Sequence, residues 1–200
     1  MCENRIFRRF AVFGLAWLVL SSDLAKSQDT AAQDPWAGEF GVKFGYLGSS
    51  TVEYKKKADQ SGLHTIETDA GYSGGGFLSQ NIYRRLHATI TVDFHFLQGN
   101  SVGETALDVA GGLKYFGVLP GGAVSLRPGM VMGFGILPDI WVFKASRHMT
   151  FKMFVELAFH TTKGTGLVIE IGSLRSFTGT DGTYDIKANS MLLFRGGLIL

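Results

Sequence analysis

The chain has 200 residues, with 27 Gly, only 4 Pro, 16 Phe and 18% charged residues. This Gly- and Phe-rich, charge-poor composition excludes a coiled coil or a charged disordered chain and points to an all-β protein. The 19 basic and 17 acidic groups nearly cancel, which excludes a basic nucleic-acid footprint. The single cysteine, Cys2, excludes a disulfide framework and a Cys-based metal site.

The N-terminus reads as a signal peptide. Arg5, Arg8 and Arg9 form a positive region, Phe10 to Leu20 is apolar, and Ala25-Lys26-Ser27 offers small residues for cleavage. Cleavage after Ser27 is expected, with Ala31-Ala32 as a second option. The apolar run is too short to span a bilayer as a helix. Loss of residues 1–27 removes Arg5, Arg8, Arg9, Lys26, Glu3 and Asp23, which leaves basic and acidic groups equal in number. Residues 28–35 are a short polar lead, and 36–200 are expected to form one domain.

From Trp36 onward the hydrophobic period is two, the signature of strands whose faces meet different environments. Strand one starts at Trp36, with Phe40, Val42, Phe44 and Tyr46 on one face and Glu39 and Lys43 on the other. A polar loop is expected over 47–68; its Lys55 to Lys57 run reads as solvated, with lipopolysaccharide phosphates as the alternative contact. Strand two covers about Asp69 to Gln80, where Ala70, Tyr72 and Leu78 share a face and Gly74 to Gly76 interrupt the pattern. A turn at 81–85 leads into strand three, Leu86 to Phe96, the clearest of all. There Leu86, Ala88, Ile90, Val92, Phe94 and Phe96 oppose His87, Thr89, Thr91, Asp93 and His95.

A loop over 98–104 precedes strand four, Thr105 to Phe116, whose polar face holds Asp108 and Lys114. Leu119-Pro120-Gly121-Gly122 is a turn. Strand five carries Val124, Leu126, Met130, Met132, Phe134 and Ile136 opposite Arg127, and Pro128 predicts a bulge. After a loop over 137–148, strand six runs from Met149 to His160. Met149, Phe151, Met153, Val155, Leu157 and Phe159 oppose Lys152, Glu156 and His160, with Phe154 as an exception to the polar face. A turn at 161–165, strand seven from Gly166 to Leu174 with Glu170, a loop over 175–187 and strand eight from Ser190 with Leu192, Phe194 and Arg195 complete the chain.

Eight strands joined by alternating long and short connections predict an antiparallel up-and-down transmembrane β-barrel of the outer-membrane kind. The polar faces are rich in small residues rather than Lys and Glu, and aromatics sit at strand ends, so the apolar faces are assigned outward. Phe40, Phe44, Leu86, Ile90, Val92, Phe94, Phe151, Leu157, Leu192 and Phe194 are the expected lipid-facing positions. The lumen is then expected to hold a self-neutralising network: Glu39, Asp93, Asp108, Glu156 and Glu170 against Lys43, Lys114, Arg127, Lys152 and Arg195. His87 and His95 share the lumen face about 26 Å apart, too far for one metal. No metal or cofactor is expected.

This pattern over 36–200 resembles the small OmpA/OmpX-type outer-membrane β-barrel family. The resemblance implies a monomeric, non-enzymatic envelope protein in the outer membrane. Its role there is structural or surface interaction through the outer loops, among outer-membrane lipids and lipopolysaccharide. In that family the last residue is usually aromatic; here it is Leu200. The segment Phe159-His160-Thr161-Thr162 also resembles the His-x-Ser segment of outer-membrane lipid A deacylases, with Thr162 in place of Ser. That alternative makes His160 a base, Thr162 a nucleophile and Glu170 the orienting acid. A third reading, a soluble lipocalin-like carrier in the periplasm, exchanges the two faces.

Overall fold

The computed structural model describes residues 38–58, 62–99, 102–120, 123–137, 146–161, 165–176, 179–180 and 183–200. The expected signal peptide, polar lead and Trp36 lie outside these residues. Among the described residues of the unit Gly38–Leu200 every regular element is a β-strand. In chain order they are β1 (Gly38–Leu47), β2 (Ser50–Lys56), β3 (His64–Tyr83), β4 (Leu86–Gly99), β5 (Val102–Tyr115) and β6 (Gly117–Val118). They continue with β7 (Val124–Leu137), β8 (Ser146–His160), β9 (Gly166–Ser176), β10 (Gly179–Thr180), β11 (Tyr184–Ala188) and β12 (Met191–Ile199).

Eight of these close a ring. The antiparallel pairings run β1–β3, β3–β4, β4–β5, β5–β7, β7–β8, β8–β9, β9–β12 and finally β12–β1. Closure leaves no sheet edge along this path, so each strand satisfies its backbone on both sides. The expected eight-strand count and antiparallel order are present.

The strands are longer than the periodicity predicts, and three expected loops are corrected. The span 47–68 is not a loop: β2 pairs with the first turn-proximal part of β3, from Ser50↔Thr68 to Tyr54↔His64. The span 175–187 contains β10 and β11, and β11 pairs with β2 from Ala188↔Val52 to Tyr184↔Lys56. The span 98–104 is mostly ladder, since β4 and β5 remain paired out to Gly99↔Val102. β10 meets β8 at Thr180↔Arg147 and β11 at Thr180↔Asp185. β2, β11 and β10 therefore continue β1, β12 and β9, and the ring of eight is prolonged past Leu47. The breaks align at residues 48–49 and 189–190. Gly48 N donates to the Leu192 carbonyl at 2.7 Å, and Asn189 N donates to the Thr51 carbonyl at 2.9 Å. The polar composition of these extensions hid them: their alternation is carried by Val52, Ile66, Ile186 and Ala188 alone, which form a small apolar cluster with Tyr54 and Tyr184.

At the opposite end the connections are short. The expected turn 81–85 narrows to Arg84-Arg85, with Arg84 at φ 49°. The Asn81 amide donates to the Arg84 carbonyl at 2.5 Å and holds that conformation. The bulge expected at Pro128 is absent. The β7–β8 register runs unbroken through Arg127↔Glu156, Pro128↔Val155 and Gly129↔Phe154. The proline's missing donor falls instead where β7 changes partners, between Lys114↔Gly129 on β5 and Gly117↔Leu126 on β6.

Burial is inverted relative to a water-soluble fold. The interior holds the charged side chains of the ring strands and the exterior is apolar. Outward positions from Leu86 to Phe96, Val124 to Ile136, Met149 to Phe159 and Leu192 to Leu200 carry no charged side chain. Phe134 is 70% exposed and Leu192 64%, whereas Arg127 and Glu170 are both 0% exposed.

Candidate functional site

The interior of the ring is the chemically distinctive part of the molecule. Residues of one parity on β1, β4, β5, β7, β8, β9 and β12 point inward, and ten of these are the charged residues expected in the lumen. All ten are buried. Nine of them form one continuous chain of ion pairs. Arg127 Nη1 donates to both Glu39 oxygens at 2.8 Å. Lys114 Nζ donates to Glu39 at 2.7 Å and to Glu156 at 3.1 Å. Lys43 Nζ donates to Glu156 and, at 2.7 Å, to Glu170. Arg195 grips Glu170 through Nε and Nη2 at 3.0 and 2.6 Å, and reaches Asp93 through Nη1 at 2.6 Å. Lys152 Nζ ends the chain on Asp93 at 2.6 Å. Removing such charges from water costs several kcal/mol each, and alternating acid and base along one line is what offsets it.

Asp108 departs from the expectation of five acids matched to five Lys and Arg. Its partners are histidines: His95 Nε2 lies 3.2 Å from Oδ2 and His148 Nε2 3.3 Å from Oδ1. His95 is tied back to the main chain of ion pairs through Ser73, 2.9 Å from its Nδ1. Among the described residues no three His, Cys, Asp or Glu side chains form a metal-binding group. His148, placed in a loop by the sequence, is instead an inward residue of β8 opposite Gly135. Gly135 is the enabling residue: a Cβ there would stand 1.9 Å from Asp108 Oδ1 and 2.5 Å from the His148 ring. Gly75 does the same for Asp93, whose Oδ1 would lie 2.4 Å from an added Cβ.

Three phenylalanines interleave with the bases. Phe77 lies under Lys43 and Lys114 at 4.4 and 4.7 Å, and Phe116 under Arg127 at 4.0 Å. Phe154 lies near Lys43 and Lys152 at 5.4 and 5.5 Å. Each ring presents its negative face to a cation whose remaining hydration has been stripped. The exception noted at Phe154 is thereby explained, and Phe77 and Phe116 were missed because an apolar residue on a polar face reads as noise. His87 stacks on Phe116 with ring centroids 3.7 Å apart. His87 and His95 occupy separate parts of the interior, as expected. Toward β2 an apolar layer of Leu47, Leu97, Ala106, Leu174, Met191 and Leu193 fills the ring. Together the ion pairs, rings and apolar layer lie in the interior of the described ring.

Of the hydrolytic alternative, His160 and Glu170 are each engaged by other partners. His160 faces Arg127 and Ser125: its Nε2 accepts from Arg127 Nη2 and lies 3.4 Å from Ser125 Oγ. A guanidinium has donors only, so it occupies the lone pair that a general base needs. Glu170 is engaged by Lys43 and Arg195. Thr162 lies outside the described residues. The ten positions expected to face lipid, Phe40 to Phe194, all lie on the outer face of the ring, half-buried by neighbours or exposed. Compared with known proteins, the chain matches no family model, no curated sequence and no solved structure.

Proposed function

We propose that the chain is a closed, eight-stranded outer-membrane β-barrel with a non-enzymatic role, in envelope structure or in surface interaction through the extended hairpins beyond Leu47. One observation carries the reading: a continuous apolar exterior surrounds a charged, internally paired interior. Water would penalise that exterior heavily, because contiguous apolar patches on soluble proteins stay within a few hundred Å². Hydrocarbon does not. Ten residue steps from Met149 to Phe159, tilted as barrel strands are, give a band about 25 Å tall, the height such barrels present to lipid. The ion pairs and rings inside the described ring support a non-conducting barrel rather than a lipocalin-like carrier. Export by an N-terminal signal belongs to the same reading.

Fractionation tests it. The protein is expected to stay with membranes through carbonate and high-salt washes and to migrate faster unheated than boiled on a denaturing gel. Release by carbonate would sink the barrel. In planar bilayers the folded protein is expected to show no steady conductance, and stable open channels would reject the closed lumen.

A further inference from the structure

On the outer wall, the ends of β5, β7 and β8 near the extended hairpins enclose a groove of about 650 Å³. That volume lies within the roughly 300–1,000 Å³ typical of ligand sites. Its walls are the outward side chains Leu107, Val109, Phe134, Ile136 and Met149. At its hairpin-side end stands Arg147, directly opposite Ile136 in the β7–β8 register and on the same face. Among the described residues no carboxylate is paired with Arg147, in contrast to every interior arginine of the ring. Its floor includes Gly135, whose lack of a side chain leaves room for the buried Asp108 and His148 behind it. An apolar trough capped by one unneutralised guanidinium fits a molecule with an acyl chain and a phosphate at one end. Guanidinium is the side chain that takes phosphate in two-point contact.

We propose that this groove binds one lipopolysaccharide molecule, with a lipid A phosphate on Arg147 and an acyl chain along Val109, Phe134 and Met149. The proposal rests on the membrane reading, which sets the hairpin end of the wall at the outer leaflet, where that glycolipid resides. It goes beyond that reading in naming a fixed site on one side of the barrel rather than a uniform lipid annulus.

The test is native mass spectrometry of the full chain in non-ionic detergent. The protein is titrated with lipopolysaccharide of minimal core, with the same lipid after phosphate removal, and with phosphatidylglycerol. One lipopolysaccharide is expected to be retained. Phosphate removal or Arg147→Ala should weaken retention about tenfold, the loss of one charge-assisted contact. Arg147→Lys should keep most of it, within about threefold, because the charge survives while the two-point geometry does not. Val109→Trp fills the trough without touching the charge and should weaken retention to the same degree as Arg147→Ala. Unchanged retention in Arg147→Ala and Val109→Trp would overturn the site, and so would phosphatidylglycerol held as tightly as lipopolysaccharide. The heat-dependent gel shift and carbonate resistance of each variant are read in parallel. A variant that passes both but fails to bind tests the groove alone, and loss of both in the parent chain tests the membrane reading instead.

Discussion

At the scale of single residues, the interior is held by complementarity that a truncation cannot repair. Arg195 bonds both Asp93 and Glu170, so Arg195→Ala takes from each buried acid one of its two cationic partners and leaves it only a lysine. Its expected cost is about 3–5 kcal/mol in urea unfolding from detergent or liposomes. The exposed pair Lys57–Asp185, at 3.8 Å, serves as the control: Lys57→Ala should change stability by less than about 1 kcal/mol. A second contrast separates space from charge. Gly135→Ala drives a methyl into Asp108 and His148 and should cost about 1–3 kcal/mol. Gly196→Ala, where an added Cβ meets nothing within 4 Å, should be close to neutral by the same unfolding measurement. All ten interior charges were legible from parity, because a lone Asp or Arg between apolar neighbours stands out. His148 was not, since the Arg147-His148 pair sits at the end of a strand whose apolar partners had not yet begun. The Asp108 pairing was equally hidden: parity assigns a face and says nothing about which residue lies across the ring.

At the scale of elements, the ring strands and the prolonged hairpins rest on different physics. Ring strands are specified by strict alternation, so a slip of one residue would turn every apolar side chain inward. β2 and β11 have a thinner signal and are anchored by Val52, Ile186 and Ala188 beneath Tyr54 and Tyr184. Val52→Asp or Ile186→Asp should therefore open the extension and leave the ring intact. Limited proteolysis would show this as new cleavage between residues 50 and 68 with an unchanged heat-dependent gel shift. Loss of that shift as well would mean that the extension and the ring fold as one. The sequence concealed these elements because five of the seven residues of β2 are Ser, Thr, Glu or Lys. It concealed the apolar interior layer for the opposite reason. Met191-Leu192-Leu193-Phe194 is apolar at every position, and an uninterrupted apolar run erases period two.

At the scale of the whole molecule, the polarity of the ring decides its surroundings, and that can be probed at one outward position. Met132 lies midway along β7, 53% exposed and flanked by Met130 and Phe134 on the same face. In the proposed bilayer setting Met132→Arg should destabilise the folded barrel by about 2–4 kcal/mol, measured by folding into liposomes. In a soluble protein the same change would be harmless or helpful, so the sign of the effect discriminates between the settings. The eight-strand count followed from alternation. Ring closure was expected from the strand number and the alternation of loop lengths, not from any local pattern stating that β1 meets β12.

The route of the ion-pair chain bears on how that closure is reached. All its links except Glu170–Arg195 join strands that are not neighbours, and four of them end on β1 at Glu39 or Lys43. Hairpins formed one after another would mostly present charges whose partners lie across the unfinished ring, the β9–β12 pair with Glu170 and Arg195 being the exception. The final strand brings Arg195 and the first strand brings both Glu39 and Lys43, so the pairings complete together at the β1–β12 seam. Partial sheets are thereby disfavoured and assembly is made late and concerted, as expected for a fold dominated by contacts distant in sequence. The same charges that brace the finished ring act beforehand as a penalty on stopping early.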